Sequence, residues 1–228
     1  ANRVAGNRFI FQGREIVLPR HHADAHFFLH GDGWLQRWDI IARDGDFCVL
    51  QLRRQHACGF DYLAQIRYQL LRNQLIASLT LTHCGSTPIP YGCGFHPFFS
   101  FDKRSTVQFT AGGYWPEGEQ HLPLDWQSHL PGHADFSHPQ YGEDRWLNVG
   151  YSGWSGRARI VSDVMTITIL SQTSWLMLFR MQGEPFLCLE PQTHPVNAHN
   201  MDGQPGLRVL GAGDTLNFSL KIDVQGRE

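Results

Sequence analysis

Apolar residues recur at every second position through much of this chain, which is the side-chain period of a β-strand. Leu216, Phe218, Leu220, Ile222 and Val224 alternate with Asn217, Ser219, Lys221 and Asp223. Such a segment buries one face and solvates the other. Leu75, Ala77, Leu79 and Leu81 follow the same rule, and Met165, Ile167 and Ile169 alternate with threonines. Phe9 and Phe11, then Ile16 and Leu18, flank Gln12-Gly13, which reads as a hairpin. Further strands are expected at Phe47–Arg53, Tyr62–Leu70, Thr106–Ala111, Arg157–Ile160, Trp175–Met181 and Phe186–Glu190. No stretch sustains a 3.6-residue period. The 23 glycines and 12 prolines are spread between strands as turn residues. The expectation is one all-β domain over residues 1–228, a large antiparallel β-sandwich. Pro116–Asn148, rich in Pro, His and Gly, is expected to be a long ordered loop across one face, and such loops are often functional.

Net charge is −2 with 18% charged residues, so neither nucleic acid nor an anionic membrane is an expected partner. No signal peptide or long apolar run is present. Seven tryptophans suit stacking on the C–H faces of sugars, although aromatics also fill β-cores. The five cysteines form no CxxC pair; four read as buried thiols, which suits a reduced, cytoplasmic protein.

Two segments carry the candidate chemistry. In Phe186-Leu-Cys-Leu-Glu190-Pro191, alternation places Phe186, Cys188 and Glu190 on one face. A carboxylate at the end of such a strand is half desolvated, an environment that suits a general base. The polar residues Gln192, Thr193, His194 and Asn197 follow it, which sets it apart from an ordinary solvated strand end. His96 lies among aromatics in Gly94-Phe-His-Pro-Phe-Phe99, as either a core histidine or a proton donor. Gly92 and Gly94 permit close backbone approach there. His30, in Leu29-His-Gly-Asp-Gly-Trp34, sits in a glycine turn and is expected at a rim. Arg3 offers a fork of donors to hydroxyls or to a surface carboxylate.

Other chemistries find less support. His22, Asp24 and His26 are close in sequence, but no helical period puts the histidines on one face. No HExxH or zinc-like Cys–His spacing occurs, so no metal or other cofactor is expected. GxSxG, Walker and dinucleotide-binding patterns are absent. A Cys–His nucleophile would need Cys93 or Cys188, and Cys188 lies within an apolar strand.

The chain resembles the aldose 1-epimerase (mutarotase) family, especially its uncharacterised bacterial members. The matching stretches are Ala1-Asn-Arg-Val-Ala-Gly-Asn-Arg-Phe9, Leu29–Trp34, Gly94–Phe99, Gly153-Trp-Ser-Gly-Arg-Ala-Arg-Ile160 and Leu189-Glu-Pro-Gln-Thr-His-Pro195, in family order. The resemblance implies a sandwich with a sugar cleft. Glu190 would be the general base at the C1 hydroxyl, and a protonated His96 the acid at the ring oxygen. His30 and Arg3 would hold substrate. Many family members bind hydroxyls with an aspartate before the Gly-Trp-x-Gly stretch; the corresponding residue here is Asn148. Members also usually have strands before the Ala-Asn-Arg motif, where this sequence starts; without them a sheet edge or core face would be exposed. The implied partner is a neutral sugar, with the protein a monomer or homodimer. The alternatives are a non-catalytic carbohydrate-binding protein and a hexose-phosphate mutarotase, the latter requiring basic residues among Arg3, Arg8, Arg37, Arg53 and Arg54 to converge.

Overall fold

The computed structural model describes residues 2–20 and 23–227. Two large sheets dominate it, and every strand pair within them is antiparallel. The nine-stranded sheet runs Gln140–Tyr141, Thr106–Phe109, Arg157–Val161, Met165–Leu170, Thr215–Gly226, Gln74–His83, Asp61–Leu71, Phe47–Gln55 and Asp39–Asp44. The five-stranded sheet runs Gly113–Trp115, Leu147–Ser152, Trp175–Arg180, Phe186–Gln192 and Phe98–Ser100. Two smaller antiparallel pairs join Arg8–Phe11 to Arg14–Val17 and Ile89–Tyr91 to Arg208–Leu210. No helix among the described residues is long and apolar enough to cross a membrane.

The alternation places the core. Leu147, Val149, Tyr151, Leu176, Leu178, Leu187 and Leu189 of the five-stranded sheet share one buried cluster with Val107, Phe109, Ala158, Ile160, Ile169, Ala77 and Leu220 of the larger sheet. In the strand Thr215–Gly226 the pattern holds at Leu216, Phe218 and Leu220, then relaxes to a half-buried Ile222 and an exposed Val224. A second cluster gathers Val4, Phe9, Ile16, Leu18, Ile89, Tyr91 and Leu210. The expected hairpin is present, with Gln12 and Gly13 at φ 50° and 74°. Positive φ at both central residues matches the twist of a two-residue hairpin.

Several boundaries differ from expectation. The strand expected to stop at Glu190 continues through Pro191 to Gln192. Pro191 has no N–H to donate, but its carbonyl accepts the Phe95 N–H at 3.0 Å. The loop expected over residues 116–148 contains the short strand Gln140–Tyr141, and its last two residues, Leu147 and Asn148, open a core strand. The cysteines also differ: only Cys188 is fully buried, Cys48, Cys58 and Cys93 are half-buried, and Cys84 is exposed. Strand alternation puts Cys84 beyond the last core-facing position of Gln74–His83. At the outer edge of the large sheet, Asp39–Asp44 exposes Ile40 and Ile41, with a register shift between Ile40 and Ala42 that interrupts the edge.

Candidate active site

One face of the five-stranded sheet packs into the core, so its opposite face is left for chemistry. Glu190 lies opposite Met177, which lies opposite Gly150; Cys188 lies opposite Phe179, which lies opposite Asn148. Residues opposite one another, and residues two apart on a strand, share a face. Glu190, Cys188, Met177, Phe179 and Asn148 therefore look the same way, as the alternation of Phe186, Cys188 and Glu190 predicts. Glu190 is more enclosed than a half-desolvated strand end, with its residue 0% exposed.

His96 reaches Glu190 because two backbones are fastened together. Phe95 N–H donates to Pro191 O, Thr193 N–H donates to Cys93 O at 2.8 Å, and Cys93 N–H donates to Thr193 Oγ1 at 3.0 Å. Gly94 pairs with Gln192 at this seam; a Cβ on Gly94 would stand 2.7 Å from Gln192 Cβ. The seam delivers His96 Nε2 to 3.2 Å from Glu190 Oε1. The His96 side chain is 31% exposed, so this imidazole is neither a sealed core residue nor a surface one. Burial lowers its pKa, and the charge of Glu190 opposes that shift without cancelling it. The imidazolium expected from sequence is thus disfavoured by burial and supported by Glu190.

His30 adopts a left-handed backbone, φ 57°, and its ring meets the His96 ring edge-on with centroids 5.5 Å apart. The Asn2 N–H donates to His30 Nδ1 at 2.9 Å, while the His30 N–H donates to Asn2 O at 2.9 Å. An accepting Nδ1 in a neutral imidazole fixes the proton on Nε2. The Asn197 N–H donates to Asn2 Oδ1 and Asn197 Oδ1 accepts from the Ala5 N–H, so the segment around Arg3 is pinned at both ends. Arg3 Nε is buried with no hydrogen-bond partner among the described residues. Desolvation lowers the Arg3 pKa, while the charges of Asp24, Glu117 and Glu190 pull it back up. Asp32, one residue beyond Gly31, anchors the His30 turn by accepting from Tyr62 Oη at 2.6 Å and Arg54 Nε at 2.5 Å, and by contacting His56 Nε2 at 3.0 Å. Burial alone would raise the Asp32 pKa, but these hydrogen bonds outweigh it and hold the carboxylate at about 2.

Asn148 does not present a free amide to the cleft. It is buried, and its Nδ2 donates to Glu117 Oε1 at 2.6 Å. Glu117 was not singled out by its sequence; the nearest signal was its place in the long loop.

A cleft of about 780 Å³ opens beside this constellation, lined by His30, Trp34, Tyr68, His96, Phe98 and Phe179 among others. That is within the usual range for small-molecule sites. Ligating atoms of His96, Cys188 and Glu190 lie within 4.8 Å of one another and could hold a metal ion. Burial, with the Glu190 charge adding to it, pushes the Cys188 thiol pKa well up. Burial also pushes Cys93 to about 12. Neither thiol suits a nucleophile, and Cys188 is a poor thiolate ligand. Of the His22–Asp24–His26 group, His22 lies outside the described residues, and Asp24 Oδ1 accepts the N–H groups of His26 and Phe27, each at 2.7 Å.

Comparison with known proteins adds a family. The family model described as aldose 1-epimerase matches residues 1–223. The uncharacterised protein YphB of Escherichia coli K12 is 34% identical over 99% of this chain and 81% of its own length. The crystal structure of an E. coli K12 protein provisionally assigned as an aldose 1-epimerase superposes with a TM-score of 0.94 at 30% identity, covering 100% of this chain and 81% of that one. Galactose 1-epimerase from Lactobacillus acidophilus shares the fold, with a TM-score of 0.79 at 16% identity over 100% of this chain and 78% of its own.

Proposed function

The chain belongs to the aldose 1-epimerase family, and on that premise we propose that it interconverts the α and β anomers of a free hexose. The observation that carries this reading is the convergence of His96 Nε2 and Glu190 Oε1 at 3.2 Å beside an open cleft. The two oxygens of a cyclic hemiacetal share one carbon, so an acid and a base acting on them must converge closely.

Glu190 takes the proton of the C1 hydroxyl. The C1–O1 bond becomes a carbonyl, the bond from C1 to the ring oxygen breaks, and the ring oxygen takes its electron pair and the His96 proton. Rotation about C1–C2 presents the other carbonyl face. Closure reverses the transfers, with protonated Glu190 as acid and neutral His96 as base. No redox group or covalent intermediate is needed. His30 Nε2–H and the Arg3 guanidinium are the donors proposed to hold sugar hydroxyls. The hexose-phosphate alternative has less support, because Arg8 pairs with Glu15, Arg53 with Asp61 and Arg54 with Asp32. Five free thiols are consistent with a reducing, cytoplasmic setting.

Polarimetry on freshly dissolved α-glucose and α-galactose tests the proposal. The wild type is expected to accelerate mutarotation, and Glu190→Gln to lose roughly two to four orders of magnitude while still binding sugar. Folded wild-type protein that binds sugar without accelerating either anomer would instead make this a carbohydrate-binding protein.

A further inference from the structure

Glu117 occupies a built position over the same face as Glu190. Its Oε1 accepts from Asn148 Nδ2 at 2.6 Å and contacts His121 Nδ1 at 2.5 Å; its Oε2 accepts from Trp146 Nε1 at 2.6 Å. Asn148 lies two strands from the Glu190 strand and faces the same side. At about 4.8 Å per strand, that is a lateral separation on the order of 10 Å. Rings bridge the interval without a gap. His96 stacks on Phe98 at 5.0 Å, Phe98 meets Phe186 at 5.0 Å, Phe186 meets Phe179 at 6.2 Å, Phe179 meets Trp146 at 5.3 Å, and Trp146 meets His121 at 5.5 Å. The guanidinium of Arg3, with its buried Nε, feels the charges of both Glu117 and Glu190.

Glu117 does not line the cleft of about 780 Å³ itself but a small adjoining pocket with Asn148, His121 and Met177, joined to the cleft wall by Trp146 packing on Phe179. We propose that Glu117 is a specificity-determining carboxylate at that edge of the site, accepting hydrogen bonds from hydroxyls at the end of an uncharged sugar remote from C1 and disfavouring anionic sugars. The inference rests on the sugar-cleft part of the function proposed above. A carboxylate oxygen has two acceptor sites. Among the described residues Oε1 meets two donors and Oε2 one, which leaves Oε2 able to accept from a ligand. The side chain remains 22% exposed, enough to be reached. Asn148 acts through Glu117 as a positioning residue: its amide orients the carboxylate that the sugar meets. A ligand carboxylate or phosphate at the same place would face a like charge, whereas a hydroxyl can donate to it.

The test compares wild type with Glu117→Gln, using galactose, glucose and galacturonate in calorimetric binding and galactose in polarimetry. The variant keeps the side-chain length, and near-UV circular dichroism checks that it folds. Expected are a roughly tenfold loss of galactose affinity, a narrower preference for galactose over galacturonate, and a larger change in KM than in kcat. A folded variant with unchanged affinity and unchanged preference would reduce Glu117 to a loop tether and overturn the proposal. Glu117-dependent binding by a wild type that lacks turnover would sink the epimerase reading alone. Failure of the folded wild type to bind either galactose or glucose would sink both.

Discussion

The His96 imidazole sits between two opposed influences, burial that favours its neutral form and a Glu190 charge that favours its protonated form. Replacing Glu190 with glutamine removes the second influence and leaves the first. The His96 pKa should therefore fall further in Glu190→Gln, readable by NMR titration of the ring resonances; an unchanged or higher value would show that Glu190 does not hold that proton. The sign for catalysis follows. The proposed ring opening requires the protonated imidazole, so kcat/KM should fall as pH rises through the His96 pKa, and that alkaline limb should vanish in the slow residual activity of His96→Asn. Glu190 and His96, which the fold brings together, were legible as candidates in the sequence because each interrupts an apolar or aromatic run with a titratable group. Glu117 was not, because its holders are spread over positions 121, 146 and 148, and no local pattern announces contacts of that range.

At the scale of elements, the active site depends on a seam rather than on either strand alone. Residues 93–95 lie against 191–193 through backbone hydrogen bonds, and glycines at 92 and 94 allow the approach. A Cβ at Gly94 would press on Gln192 and on the Pro191 carbonyl, and one at Gly92 would overlap the His194 ring. Gly94→Ala should cost roughly 1–3 kcal/mol of stability, the usual range for overpacking. Urea unfolding beside Gly45→Ala, where an added Cβ meets nothing within 4 Å, provides the comparison; equal losses in the two variants would mean the seam tolerates the methyl. Long strands such as Phe47–Gln55 were legible from alternation, with ends shifted by a residue or two. Strands of two or three residues, including Ile89–Tyr91, Phe98–Ser100 and Gly113–Trp115, are too short for a period to register. They form because neighbouring strands offer unpaired backbone groups.

For the whole molecule, two buried histidines link stability to pH. Burial pushes His194 down to about 4 and His199 down to about 3, and their rings lie 6.0 Å apart. His199 also packs on Phe9 of the N-terminal hairpin at 4.6 Å, so the pair joins that hairpin to the segment beyond the Glu190 strand. Above pH ~6.5 these histidines are neutral in folded and unfolded chains alike and impose no penalty. Below it the unfolded chain gains protons that the folded one refuses, so stability declines toward the folded values. For His194 alone the loss approaches roughly 3 kcal/mol by pH 4. Melting temperatures measured from pH 7.5 to 4 should fall more gently in His194→Gln than in the wild type; parallel curves would contradict this. The Asp32 anchor, at about 2 in the folded chain, begins to weaken as pH falls to the ordinary aspartate value of 3.8 and leaves most of that window clear.

The alternation that sends Leu187 and Leu189 inward and Cys188 and Glu190 outward also makes the five-stranded sheet a measuring device. Positions across it are set in steps of one strand, and positions along it in steps of two residues. The gap between Glu190 and Asn148, whose amide holds the loop residue Glu117, is consequently stepped, not continuous. Side-chain length, as between aspartate and glutamate, gives the fine adjustment, while a change of strand gives the coarse one. If Glu117 reads the remote end of the sugar as proposed, a substrate of another size would call for that carboxylate on a different strand or loop.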